Sequence, residues 1–178
     1  MPRPLRWPSS RQLILLGLTG TAVLAAASQA GPWVLWNRTD SEPLGIYART
    51  LQQPGVGRLI AFRAPPAAFP YAEGRMGYLR RVPILKQVIA GQGDLVCTQG
   101  GQLVVNGRNL APVYARDPRG QALPQWGQCR RLTTAEFFVY SDRIPNSFDS
   151  RYYGPVEARR ILGVYRPLTA AQAAPGAR

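Results

Sequence analysis

Residues 12–37 carry no charged side chain, and the apolar heart of that run covers residues 13–30. A helix needs roughly 20 apolar residues to cross the hydrocarbon core, so this run is long enough to span a bilayer. Arg3, Arg6 and Arg11 precede it, and Trp33 and Trp36 fall where the far interface is expected. That asymmetry places the N-terminus in the cytoplasm and the rest of the chain outside. A second reading stays open, because Ala25-Ala26-Ala27-Ser28-Gln29-Ala30 offers small residues of the kind cleaved in secretory signals. The division that follows is a basic N-terminus over 1–11, a transmembrane signal-anchor over 12–36, an exported domain over 37–168 and a disordered tail over 169–178.

The exported part is expected to be mainly β, with short antiparallel strands. Its 18 glycines and 17 prolines, counted over the 178-residue chain, suit a loop-rich β domain better than a helical bundle. Strands are expected at 58–62, 95–97, 103–105, 136–140 and 161–165. The stretch 82–90 reads as apolar and buried, Pro65, Pro66 and Pro70 mark a loop, and Asn106-Gly107 signals a tight hairpin.

Histidine is absent. Ser-His-Asp and Cys-His chemistry is thereby excluded, and a zinc site lacks its usual imidazoles, so neither a metal nor a cofactor is expected. Any base acting near neutral pH must be a carboxylate, a lysine, a tyrosine or a perturbed thiol. The net charge of +13 rests on 22 basic residues, of which only Lys86 is a lysine. Arginine does not give up its proton, so Lys86 alone among them can serve as a base. The arginines are scattered and no nucleic-acid motif accompanies them; attraction to anionic lipid is the simpler use of the charge. Cys97 and Cys129 both lie in the exported domain. An oxidising compartment would pair them, and the alternative of a catalytic thiol has no histidine to activate it.

Three stretches carry the chemistry. Asn37-Arg38-Thr39-Asp40-Ser41-Glu42-Pro43-Leu44-Gly45-Ile46-Tyr47 sets a serine just beyond the span, before a proline and a glycine that bend the backbone. Val82-Pro83-Ile84-Leu85-Lys86-Gln87-Val88-Ile89-Ala90 surrounds the lysine with apolar residues, and burial lowers the pKa of an ammonium. Ser147-Phe148-Asp149-Ser150-Arg151-Tyr152-Tyr153-Gly154-Pro155-Val156 is dense in polar side chains able to orient one another.

In this order the stretches resemble the boxes of type I signal peptidases, Ser/Lys-dyad enzymes that remove leader peptides, from the anchor to about residue 168. Asn-x-Thr-x-Ser-x-Pro-x-Gly-x-Tyr and Ser-Phe-Asp-Ser-Arg-Tyr-Tyr-Gly-Pro-Val point to the TraF-type branch associated with plasmid conjugation. The resemblance implies a signal-peptidase-like β domain behind an N-terminal transmembrane helix, with Ser41 as nucleophile and Lys86 as general base. It implies an oxyanion hole from Thr39 and the Ser41 N–H, a bond from Ser147 to the lysine amine, and a bracing pair of Asp149 and Arg151. Asp149 is implicated in activity in that branch and counts among the expected catalytic residues. The departures are Gln87, Gln92, Gly57-Arg58 and Tyr140-Ser141-Asp142, none of which removes a catalytic atom.

The expected function is maturation of a conjugative pilin precursor, or of another exported preprotein, at the periplasmic face of the bacterial inner membrane, with water or the pilin's own amine resolving the acyl-enzyme. A general leader peptidase and an inert anchored scaffold of a conjugation channel are the rival readings.

Overall fold

The computed structural model describes residues 31–69 and 71–168. The expected basic N-terminus, the span up to residue 30 and the tail 169–178 lie outside the described residues. Within them no helix is long and apolar enough to cross a membrane.

Among the described residues, runs of β-branched and aromatic residues, punctuated by glycine and proline, fold as eleven strands in two antiparallel sheets. The larger sheet has the order β1-β2-β11-β3-β4-β9-β10. Its members are β1 (Val34–Asn37), β2 (Gly45–Thr50), β3 (Leu59–Phe62), β4 (Ile84–Ala90), β9 (Glu136–Tyr140), β10 (Val156–Glu157) and β11 (Ile161–Pro167). The smaller sheet, ordered β7-β6-β5-β8, joins β5 (Leu95–Cys97), β6 (Gln102–Val105), β7 (Arg108–Pro112) and β8 (Cys129–Arg131).

Strands expected from the sequence appear as β3, β5, β6, β9 and β11, and the apolar stretch 82–90 contains β4. The Asn106-Gly107 hairpin forms as expected. It joins β6 to β7 with both residues at positive φ, +50° and +81°, which a two-residue type I′ turn requires. Two short α-helices, α1 (Tyr71–Met76) and α2 (Ser150–Tyr153), have no counterpart among the sequence expectations. The first follows the proline-marked loop; the second is a single turn, N-capped by the Asp149 carboxylate accepting from the Arg151 N–H at 3.2 Å.

The end of the expected span needs correction. Val34–Asn37 pairs antiparallel with β2, Trp36 opposite Ile46, so residues 34–36 belong to the sheet rather than to a membrane helix. The compact unit begins at Pro32, before the boundary expected at 37. The apolar run continues through this point because an edge strand and a lipid-facing helix draw on the same residues; only pairing distinguishes them.

Alternation along the central strands sorts the core onto two faces. Ile60, Phe62, Ile84, Val88 and Val164 form one buried cluster, together with residues of α1 and α2. Ala61, Leu85, Tyr47 and Tyr165 form another. The small sheet has its own cluster around Val96, Leu103 and Phe138.

Cys97 and Cys129 are directly opposed on β5 and β8 and are bonded to each other. The bond closes a loop with a sequence separation of 32, which restricts the unfolded chain. Replacing both cysteines by serine is expected to lower the unfolding free energy by about 2–4 kcal/mol, read from urea denaturation.

Candidate active site

The turn that carries Ser41 is tied together by Asn37 at the end of β1. Its side-chain amide donates to the carbonyls of Thr39 (2.9 Å), Glu42 (2.9 Å) and Pro43 (3.0 Å). Its Oδ1 accepts from the Thr39 N–H at 3.2 Å and from the Thr39 hydroxyl at 2.9 Å. The chain leaves the turn through Gly45 at φ +142°, a backbone state that side chains disfavour, and enters β2. The Tyr47 hydroxyl, donating to the Pro43 carbonyl at 2.6 Å, seals the exit.

Ser41 is held in that turn and is 8% exposed. Its Oγ lies 3.5 Å from Thr39 Oγ1. Because the Thr39 hydrogen is committed to Asn37, Ser41 is the donor across this long contact. The Ser41 carbonyl accepts from the Ser141 hydroxyl just beyond β9, and Arg143 Nε reaches the Asp40 carbonyl at 3.3 Å.

Lys86 lies in the middle of β4, opposite Ile60 of β3 and on the face that also carries Ile84 and Val88. Only 3% of it is exposed. Burial pulls its ammonium down to about 8; the Glu42 and Asp149 charges oppose that fall and Arg151 adds to it. The expected burial of Lys86 is thus observed.

Ser41, Lys86, Thr39 and Ser147 open onto one cavity of about 740 Å³. Its other walls are largely apolar, including Leu35, Trp36, Leu79, Val82, Ile84 and Phe148. Such a cleft, with a few polar atoms converging in an apolar lining, has the character of a ligand-binding site.

Two of the expected residues lie behind the cavity rather than in it. Asp149 is fully buried and takes a two-point ion pair from Arg151, at 2.8 Å from Nε and 3.0 Å from Nη2. Arg151 also donates to the Ser147 carbonyl and to the Pro112 carbonyl, each at 2.9 Å. The pair thus fastens the Ser147 wall to β7 of the small sheet. The Ser147 hydroxyl is buried with no hydrogen-bond partner in this structure, so the expected bond to the lysine amine is not made here.

Three contributors are not singled out by the sequence. Asn37 and Ser141 hold the turn that carries Ser41, and Glu42 is 7% exposed with a carboxylate that accepts the Gln87 N–H at 3.3 Å. Asn37 heads the motif that contains Ser41, which is the signal for it but names no role; nothing in residue type separates Glu42 or Ser141 from neighbours such as Asp40.

The chain also has relatives among known proteins. The family described as signal peptidase, peptidase S26, matches residues 22–168. A plasmid transfer protein TraF of Escherichia coli is 31% identical over 166 residues, covering 85% of this chain and 87% of its own. A conjugal transfer protein TraF of Agrobacterium tumefaciens (strain 15955) is 36% identical over 171 residues, 86% of this chain and 94% of that one. A signal peptidase I from Enterococcus faecalis V583 superposes with a TM-score of 0.40 at 23% identity, over 65% of this chain and 98% of that structure.

Proposed function

Since this chain belongs to the signal peptidase S26 family and has TraF proteins as relatives, we propose that it is a membrane-bound serine endopeptidase that matures a conjugative pilin precursor, using Ser41 as nucleophile and Lys86 as base. The observation that carries this reading is the burial of the chain's sole lysine in the cavity that also receives the Ser41 hydroxyl.

Lys86, neutral above about pH 8, takes the hydroxyl proton as the Ser41 oxygen attacks a peptide carbonyl. The oxyanion is met by the Ser41 N–H and by Thr39, whose hydroxyl must turn away from Asn37 to donate. The lysinium then gives its proton to the leaving amine; water or the substrate's own N-terminal amine next attacks the acyl-enzyme, Lys86 taking its proton and passing it to the departing Ser41 oxygen. The second case releases a cyclic product. Asp149 and Arg151 serve by bracing the wall that carries Ser147. The working location under this reading is the inner membrane, with a single span and the catalytic domain on the periplasmic side.

Mass spectrometry of the pilin precursor, incubated with the full-length enzyme and with Ser41→Ala, tests the proposal. Expected is a trimmed product with the wild type only; a mass lower by one water than the linear chain indicates cyclisation. An unchanged precursor with active enzyme, together with cleavage of ordinary leader peptides, favours a general leader peptidase. Equal processing by Ser41→Ala rejects the dyad.

A further inference from the structure

Glu42 is a buried carboxylate adjacent to the nucleophile, and the acyl-transfer steps leave it without a task. It sits in the turn that Asn37 clamps, yet its side chain leaves that turn and reaches β4. There it accepts the N–H of Gln87, the residue that follows the base, across 45 positions of sequence. Burying an unneeded carboxylate is unfavourable, and glutamate is rarely found so enclosed without a partner. An exposed side chain would serve a solvated turn equally well.

We propose that Glu42 is a positioning residue of this site: its carboxylate straps the nucleophile turn to the base strand and supplies the counter-charge for the lysinium formed when Ser41 gives up its proton. The proposal rests on the Ser41/Lys86 reading above. The chemistry of the step is unchanged: the Ser41 O–H bond breaks, an N–H bond forms on Lys86, and the freed oxygen pair attacks the carbonyl. A positive charge then appears on a side chain that is largely withdrawn from solvent. A fixed negative charge nearby stabilises it, as the buried aspartate of a Ser-His-Asp triad stabilises its imidazolium.

The surrounding charges fit this role. Glu42 feels the charges of Lys86, Arg143 and Asp142, and Lys86 those of Glu42, Asp149 and Arg151, without a direct ion pair between Glu42 and Lys86 among the described residues. Of the two carboxylates near Lys86, Asp149 is taken up by its two-point ion pair with Arg151. Glu42 makes a single bond to a neutral N–H, so its charge is the less compensated of the two. Burial pushes the Glu42 carboxyl up to about 7, with Lys86, the Gln87 N–H and Arg143 opposing and Asp142 adding. Its ionised form and neutral Lys86 therefore coexist in mildly alkaline solution, where such a base is most effective.

Because Lys86 is the sole lysine, it can be followed alone. The full-length chain in detergent, labelled with 13C at lysine Cε, gives one side-chain signal whose shift against pH reports this amine. Glu42→Gln keeps the acceptor for Gln87 but removes the charge. The titration midpoint, and the acidic limb of kcat/KM, are expected to move about one pH unit toward acid. Plateau kcat/KM is expected to fall on the order of tenfold, equivalent to one pKa unit. Glu42→Asp, which withdraws the charge by one methylene, is expected to shift both less, and it remains the readout if the amide variant does not fold. Folded variants that titrate like the wild type overturn the proposal. The lysine titration is read whether or not any precursor is cleaved, so its failure is separate from failure of the peptidase reading, which Ser41→Ala reports.

Discussion

Replacing Lys86 by methionine is expected to lower kcat/KM for precursor cleavage by about ten-thousand-fold or more while leaving the domain at least as stable as the wild type. The two effects share one cause. The amine is 3% exposed and sits among Ile84, Val88 and their neighbours, so its charged form is poorly solvated. Methionine fills nearly the same volume without that penalty. It also cannot accept a proton, and the chain has no histidine to take over. Denaturant unfolding read beside cleavage separates the outcomes. A variant that is inactive because it is unfolded would contradict this account, as would one that is folded and active. The wild type carries a matching pH signature. Lys86 is protonated below about 8, so activity is expected to fall roughly tenfold per pH unit on the acidic side and to level off above it. A profile flat between pH 6 and 8 would rule out a lysine base of this kind, on the scale of about one pKa unit.

The second large effect is on stability. Arg151→Met is expected to lower the unfolding free energy by about 3–5 kcal/mol, because it leaves the Asp149 carboxylate buried and unpaired. Arg151 is enclosed together with Asp149, and its guanidinium makes four side-chain hydrogen bonds: two to Asp149 and one each to the carbonyls of Ser147 and Pro112. The double variant Asp149→Asn/Arg151→Met should recover part of the loss, since no bare charge then remains; a double-mutant cycle in urea measures the coupling. Activity should suffer in the single variant even at temperatures where it stays folded, because the Ser147 wall loses its tie to β7. If Arg151→Met unfolds like the wild type, the pair does not brace that wall.

Much of the chemistry is legible in the residues alone. The lack of histidine and the solitary lysine are properties of the chain itself, and they reduce the possible bases irrespective of fold. The apolar neighbours of Lys86 likewise signal its burial, since a run such as Ile84-Leu85-Lys86-Gln87-Val88 leaves little room for a solvated strand. Strands β3, β5, β6, β9 and β11 are visible for a similar reason: each is dense in β-branched or aromatic residues or bounded by turn formers. By contrast β1 is hidden inside a longer apolar run, and β8 (Cys-Arg-Arg) carries no strand-like pattern of its own. Pairing with β5 holds it in place.

Side-chain roles in the active site depend on contacts across long stretches of chain. The Ser141 hydroxyl meets the Ser41 carbonyl over 100 residues of separation, and the Glu42 carboxylate meets the Gln87 N–H over 45. No local spacing rule reports a bond of that kind, because its existence depends on how strands from distant parts of the chain are ordered in the sheet. The uncharged run near the N-terminus shows the same division. Its composition alone makes the run 12–37 read as a lipid-spanning helix. That residues 34–37 instead form an edge strand against β2, with Val34 and Trp36 exposed, and lead directly into the turn that carries Ser41, follows only from hydrogen bonds to a partner that composition does not name.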